Sequence, residues 1–182
     1  MESFFILSAW WIVPTVVAVA LVEVLGRKFS VTYLQKAIGQ GVSPELWNTL
    51  GVIALISMGV SILLSRFDAI HSFSAKIANK LLLVSFEVGL LGLGVIIGQT
   101  IFGFEKSQFL NWQVWFFGIG FVSMILIAIL LNFILWFCSQ IIYSQDGKTN
   151  FMQKTASNHY FFIFFLGLSL IFVPIILLVL ER

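Results

Sequence analysis

Residues 85–98 read SFEVGLLGLGVIIG: one carboxylate, Glu87, in an apolar stretch that also carries Gly89, Gly92, Gly94 and Gly98. On a helix turning 100° per residue, Gly94 and Gly98 fall within about 20° of Glu87, so one face bears a carboxylate followed by a GxxxG pair. Gly89 and Gly92 fall on a different face, which allows a second close neighbour. A carboxylate about 10 Å along the helix from Lys80 is costly against lipid, so it should face protein or water. Two chemistries are open to it: an ion, proton or gating site, or a protonated carboxyl that serves only as a packing hydrogen bond. Asn132 lies at a comparable depth if this segment and the next form an antiparallel hairpin, and a Glu87–Asn132 hydrogen bond is the expected pairing.

Other side chains offer less. Ser57, Ser61 and Ser65 form an i, i+4, i+8 stripe that either lines a wet path or packs closely against a helix. Asp68 and His71 have ligand-like spacing, but with no third ligand near them a solvated loop is the expected setting. His159 stands beside Tyr160 at the mouth of an apolar stretch, where it either senses pH or belongs to an ordinary interfacial aromatic cluster. Cys138 is the single cysteine, which excludes an internal disulfide. It has no basic neighbour to activate it. Glu23 and Arg27 are spaced for an interfacial ion pair. No nucleophile, base and orienter assemble, and neither a phosphate-cradling loop nor a metal-ligand set is present, so no enzyme, cofactor or metal is expected.

These residues sit on elements whose nature the composition fixes. Of 182 residues, 60% are hydrophobic and 10% charged, against about a quarter charged in a soluble domain. Five apolar stretches, 4–25, 46–64, 81–104, 114–137 and 161–180, each approach the roughly 20 residues that a crossing helix needs. Backbone groups in lipid must be satisfied within the segment, and no alternating pattern supports a barrel. The expectation is an all-α, polytopic membrane helix bundle forming one membrane domain, with at least four of five helices crossing. The first stretch lacks a basic leader and a small-residue cleavage site, so it is kept as structure. A net charge of +2 gives no reason to expect nucleic-acid binding.

The positive-inside rule bears on the second stretch. Five crossings divide the basic residues evenly. If 46–64 does not cross, Arg27, Lys28, Lys36, Arg66, Lys76, Lys80, Lys148 and Lys154 share one side against Lys106 and Arg182. The amino terminus is then outside and the 138–160 loop cytoplasmic. The uninterrupted run GVIALISMGVSILL favours crossing. Ser43 and Pro44 mark a helix start, Asp146 and Gly147 a tight turn, and Pro174 a kink. Trp115 and Trp136, about 31 Å apart along a helix, mark both edges of a hydrocarbon core.

Between the stretches no segment is long enough to bury a soluble core, so chemistry in water falls to a partner. In format, the absence of a soluble domain, short loops such as SRFDAIHSFSAKIANK, and the glycine-rich GLLGLGVIIG resemble the membrane subunit of the bacterial anti-phage Kiwa system. That resemblance implies a bacterial inner-membrane sensor that scaffolds a cytoplasmic effector. Two functions stay open: a homo-oligomeric anchor or sensor docking a protein through Lys76, Lys80, Lys148 and Lys154, or a small oligomeric channel or transporter using Glu87.

Overall fold

In a computed structural model, residues 2–29, 44–103, 111–142 and 159–180 are described. They form α1 (Glu2–Phe29), α2 (Pro44–Leu63), a 3₁₀ turn (Leu64–Arg66), α3 (Asp68–Gly103), α4 (Asn111–Ile142) and α5 (Tyr160–Leu180). No strand occurs among the described residues, and the fold is all-α. Four helices, α1 to α4, contain spans long and apolar enough to cross a membrane, including Glu45–Leu63 of α2. The described apolar stretch of α5, Phe161–Ile176, is shorter.

These residues fall into two compact units, one drawn from Met1–Pro44 and Glu87–Phe133, the other from Glu45–Phe86 and Ile134–Arg182. α3 and α4 contribute to both. In the first unit α1 packs along the C-terminal half of α3. A Cβ added to Gly94 would lie 2.8 Å from Thr15 Cβ and 3.2 Å from Ile12 O, and one added to Gly98 would lie 2.7 Å from Val19 Cβ. Both numbers rise together, so the two helices run parallel. α4 enters the same unit by an edge-to-face contact between Phe133 and Phe4, centroids 5.3 Å apart.

In the second unit α2 and the first half of α3 form an antiparallel hairpin closed by the 3₁₀ turn. Trp47 Nε1–H donates to Ser85 O at 3.1 Å near one end, and Ser61 meets His71 near the other. α5 crosses α2 at two glycines. A Cβ on Gly59 would lie 2.7 Å from Gly167 O, and one on Gly167 would lie 3.2 Å from Gly59 O. Only residues without a Cβ let two backbones approach so closely.

Three expectations need correcting. The segment 68–80 is not a loop: α3 starts at Asp68 and runs 36 residues, about 54 Å and well beyond a hydrocarbon core of about 30 Å. Residues 68–80 hold no glycine or proline, and His71, Ala75, Ala78, Leu82 and Phe86 recur at helical spacing, all buried. Lysines at 76 and 80 mark its exposed face rather than a break in the helix. His71 is accordingly buried, not solvated. Finally, Trp136 is buried while Trp115 is 76% exposed, so the pair does not form two outward-facing aromatic edges. Trp136 lies on the inward stripe of Asn132, Leu135 and Ser139, which overrides the interfacial preference.

Candidate functional site

Helical hydroxyls ordinarily turn back onto their own helix, and most here do so. Thr15 donates to Trp11 O (2.7 Å), Thr100 to Ile96 O (2.9 Å), Ser123 to Ile119 O (2.9 Å) and Ser139 to Trp136 O (2.6 Å). Ser8 does not: it is 9% exposed and its Oγ has no hydrogen-bond partner. An orphaned buried polar group costs about 1–3 kcal/mol, so its persistence asks for a ligand or a role.

Asn132 presents a second such atom. Its Nδ2 donates to Ala128 O at 2.8 Å, yet Oδ1 is buried without a partner and the residue is 1% exposed. The expected Glu87–Asn132 hydrogen bond is therefore not made. The amide Nδ2 instead bonds the backbone carbonyl one turn back, an intrahelical contact that needs no neighbouring helix. Glu87 is half-buried and makes no hydrogen bond or ion pair among the described residues.

Helix register brings Ser8 and Glu87 to one level of the first unit, and a ring contact places Asn132 about one turn away along α1. From the contacting pair Thr15 and Gly94, seven residues back along each parallel helix lead to Ser8 and Glu87. Seven residues are almost two full turns, so Ser8 shares the face of Thr15 and Val19 as Glu87 shares that of Gly94 and Gly98. Asn132 is adjacent in sequence to Phe133, whose ring packs on Phe4. Phe4 precedes Ser8 by four residues, about 6 Å along α1. A half-open apolar cavity lined by Phe4, Phe5, Leu126, Ile129, Leu130 and Phe133, about 300 Å³, flanks the same end of α1.

The second unit holds a buried polar cluster of a different kind. His71 Nδ1 lies 2.9 Å from Ser61 O, and because a carbonyl only accepts, Nδ1 carries the proton. Ser61 O belongs to the last turn of α2, whose carbonyls lack helical donors. His71 thus closes the end of α2 from the following helix. Ser74 Oγ donates to His71 O (3.0 Å) and to Ser61 Oγ (3.3 Å). His71 Nε2 and Ser85 Oγ are the buried atoms here left without partners. Of the serine stripe, Ser61 and Ser65 are buried and Ser57 half-buried.

The remaining sequence-stressed residues are scattered. Gly89 is buried and Gly92 half-buried. Lys76 and Lys80 are exposed on α3, beside Phe73 and Ile77. Cys138 is a free, half-buried thiol and His159 is exposed, its carbonyl accepting from Ile163 N at 3.1 Å. Pro174 lies inside α5 and Pro14 inside α1. Lys148, Lys154, Ser43, Asp146 and Gly147, with the side chains of Arg27 and Asp68, lie outside the described residues. No group of three or more His, Cys, Asp or Glu able to hold a metal occurs among the described residues.

Sequence reasoning missed Ser8, Gly59 and Gly167. Ser8 precedes Thr15 by the same seven residues that separate Glu87 from Gly94, a signal that has meaning only once α1 and α3 are known to pair. Gly59 and Gly167 each stand apart from any GxxxG repeat, so nothing local marks them. No protein-family model, curated protein or solved structure matches the chain.

Proposed function

We propose that the chain is a non-enzymatic anchor or sensor subunit of the bacterial inner membrane, assembling with copies of itself and docking a cytoplasmic protein effector. The observation that carries this reading is the exposed face of α3 between residues 70 and 80. Ile70, Phe73, Lys76, Ile77 and Lys80 are all exposed there, on a helix whose start is held by the His71–Ser61 hydrogen bond. A rigid face mixing aromatic, aliphatic and cationic groups suits a protein partner, with the aromatic as anchor and the lysines steering an acidic surface. The apolar outer surfaces of α1 and α4 suit lipid, and Gly51, Gly118 and Gly120 meet nothing within 4 Å. Anti-phage defence is the setting that the format resemblance suggests.

Purification of the full chain in mild detergent, with native mass measurement and identification of bound proteins, tests this. The expected result is a homo-oligomer carrying a stoichiometric soluble protein that is lost from the Lys76→Glu/Lys80→Glu variant while the oligomer remains. A homo-oligomer with no partner, or a partner indifferent to those charge reversals, overturns the docking reading and moves the balance to the channel or transporter.

A further inference from the structure

Three oxygen-bearing groups in the first unit lie within about one helical turn of one another along α1, and none has a partner on another helix among the described residues. Ser8 Oγ and Asn132 Oδ1 are buried and unbonded, and Glu87 is brought level with Ser8 by the parallel register of α1 on α3. One proton on Glu87 would satisfy a single acceptor. A cation satisfies a carboxylate, a hydroxyl oxygen and an amide oxygen at once. We propose that Ser8, Glu87 and Asn132 form a binding site for a small monovalent cation of the sodium class.

The chemistry selects that class. All three donors are hard oxygens, and nitrogen or sulfur ligands that would favour a transition metal are absent from the set. One carboxylate offsets one positive charge, so an occupied site is neutral, as a low-dielectric setting demands. A divalent ion would leave a net charge there. Glu87 is half-buried rather than enclosed, which leaves an approach for the ion and room for water to complete its shell. Gly94 and Gly98 contribute indirectly, because their contacts with Thr15 and Val19 set the register that aligns Glu87 with Ser8. The site stands independently of partner docking, and supplies a stimulus to which a sensor subunit responds.

The test is equilibrium binding of radioactive sodium to the full chain in lipid nanodiscs, with choline holding ionic strength constant. Wild type is expected to bind saturably, with one ion per chain. Glu87→Gln should abolish binding. Ser8→Ala and Asn132→Leu should each weaken it about tenfold, the scale of one lost buried ligand, and Ser8→Ala removes too little volume to threaten folding. Thr100→Val, about 20 Å from Glu87 along α3, should bind as wild type does. Labelling of Glu87 by a hydrophobic carbodiimide, read by intact mass, separates the alternative: labelling that sodium suppresses supports the site. Absence of saturable sodium binding in wild type overturns the proposal, as does labelling indifferent to sodium, which marks a carboxyl that takes only a proton. Undiminished binding in both Ser8→Ala and Asn132→Leu also overturns it.

Discussion

In the unit containing α1, Ser8 Oγ and Asn132 Oδ1 are buried and bonded to nothing. In the unit containing α2 and α5, Ser61, His71 and Ser74 are equally inaccessible or nearly so, yet bonded to one another. The two units also use glycine differently. Gly94 and Gly98 receive the β-branched Thr15 and Val19 across parallel helices, with Ile12 O also 3.2 Å from a Cβ on Gly94, whereas a Cβ on Gly59 or Gly167 would meet the other glycine's carbonyl oxygen, at 2.7 and 3.2 Å, beside side chains of the facing helix. Neither a Cβ nor a carbonyl oxygen can move away by side-chain rotation, so relief at either crossing requires a shift of the helix. The second unit is a clamp closed by a bonded polar cluster, although His71 Nε2 and Ser85 Oγ stay unbonded there. The first is a packed scaffold whose unbonded oxygens, Ser8 Oγ and Asn132 Oδ1, accompany the carboxylate of Glu87. Function that depends on binding has more to gain in the first.

The sharpest way to break this contrast is at Gly59. A Cβ there stands 2.7 Å from Gly167 O and 2.8 Å from Ile171 Cγ1, and valine adds two further methyls. Overpacking costs about 1–3 kcal/mol and occasionally more. Gly59→Val should fall at or beyond the top of that range, read as thermal unfolding with a thiol-reactive fluorophore at Cys138, the single cysteine. Gly98→Ala, with Val19 Cβ at 2.7 Å, should cost less, about 1–2 kcal/mol, because valine can shift by a small helix translation. Equal losses would erase the distinction between the clamp and the scaffold.

The polar groups should respond with opposite signs. His71→Ala removes the donor from Ser61 O, leaves that carbonyl unsatisfied and opens a cavity, so it should destabilise by about 1–3 kcal/mol. Ser8→Ala removes an unbonded hydroxyl. In sodium-free choline buffer it should leave stability unchanged or raise it by up to about 1 kcal/mol. A clear loss on Ser8→Ala under those conditions would mean that the hydroxyl already has a structural partner, and the contrast between the units would fail.

The sequence made some of this visible and hid the rest for definable reasons. Hydropathy alone locates five helices, because crossing segments must be long and continuously apolar. The GxxxG spacing of Gly94 and Gly98 and the isolation of Glu87 are local patterns, so they could be read directly. The start of α3 was obscured because Lys76 and Lys80 read as a membrane edge, although nothing between Asp68 and Lys80 breaks a helix. The burial of His71 depends on a hairpin that brings residues 61 and 71 together. The Gly59–Gly167 contact joins residues with more than a hundred others between them, and no spacing rule reports it. The alignment of Ser8 with Glu87 depends in turn on the direction in which α1 lies on α3.

The smallest expected effect makes the most direct control on the glycine argument. Gly118 and Gly120 occupy the same kind of apolar helix as Gly94 and Gly98, but an added Cβ meets nothing within 4 Å. Both positions are exposed, among Trp115, Phe116, Phe117 and Ile119. If glycine matters here through close approach and not through helix flexibility, Gly118→Ala and Gly120→Ala should change stability by no more than about 0.5 kcal/mol, with any shift toward stabilisation because alanine favours the helix. Measured by the same Cys138 unfolding assay beside Gly98→Ala, they separate contact from propensity. A loss as large as that of Gly98→Ala would mean that the outer face of α4 is itself a packing surface, with a second copy of the chain as its natural occupant.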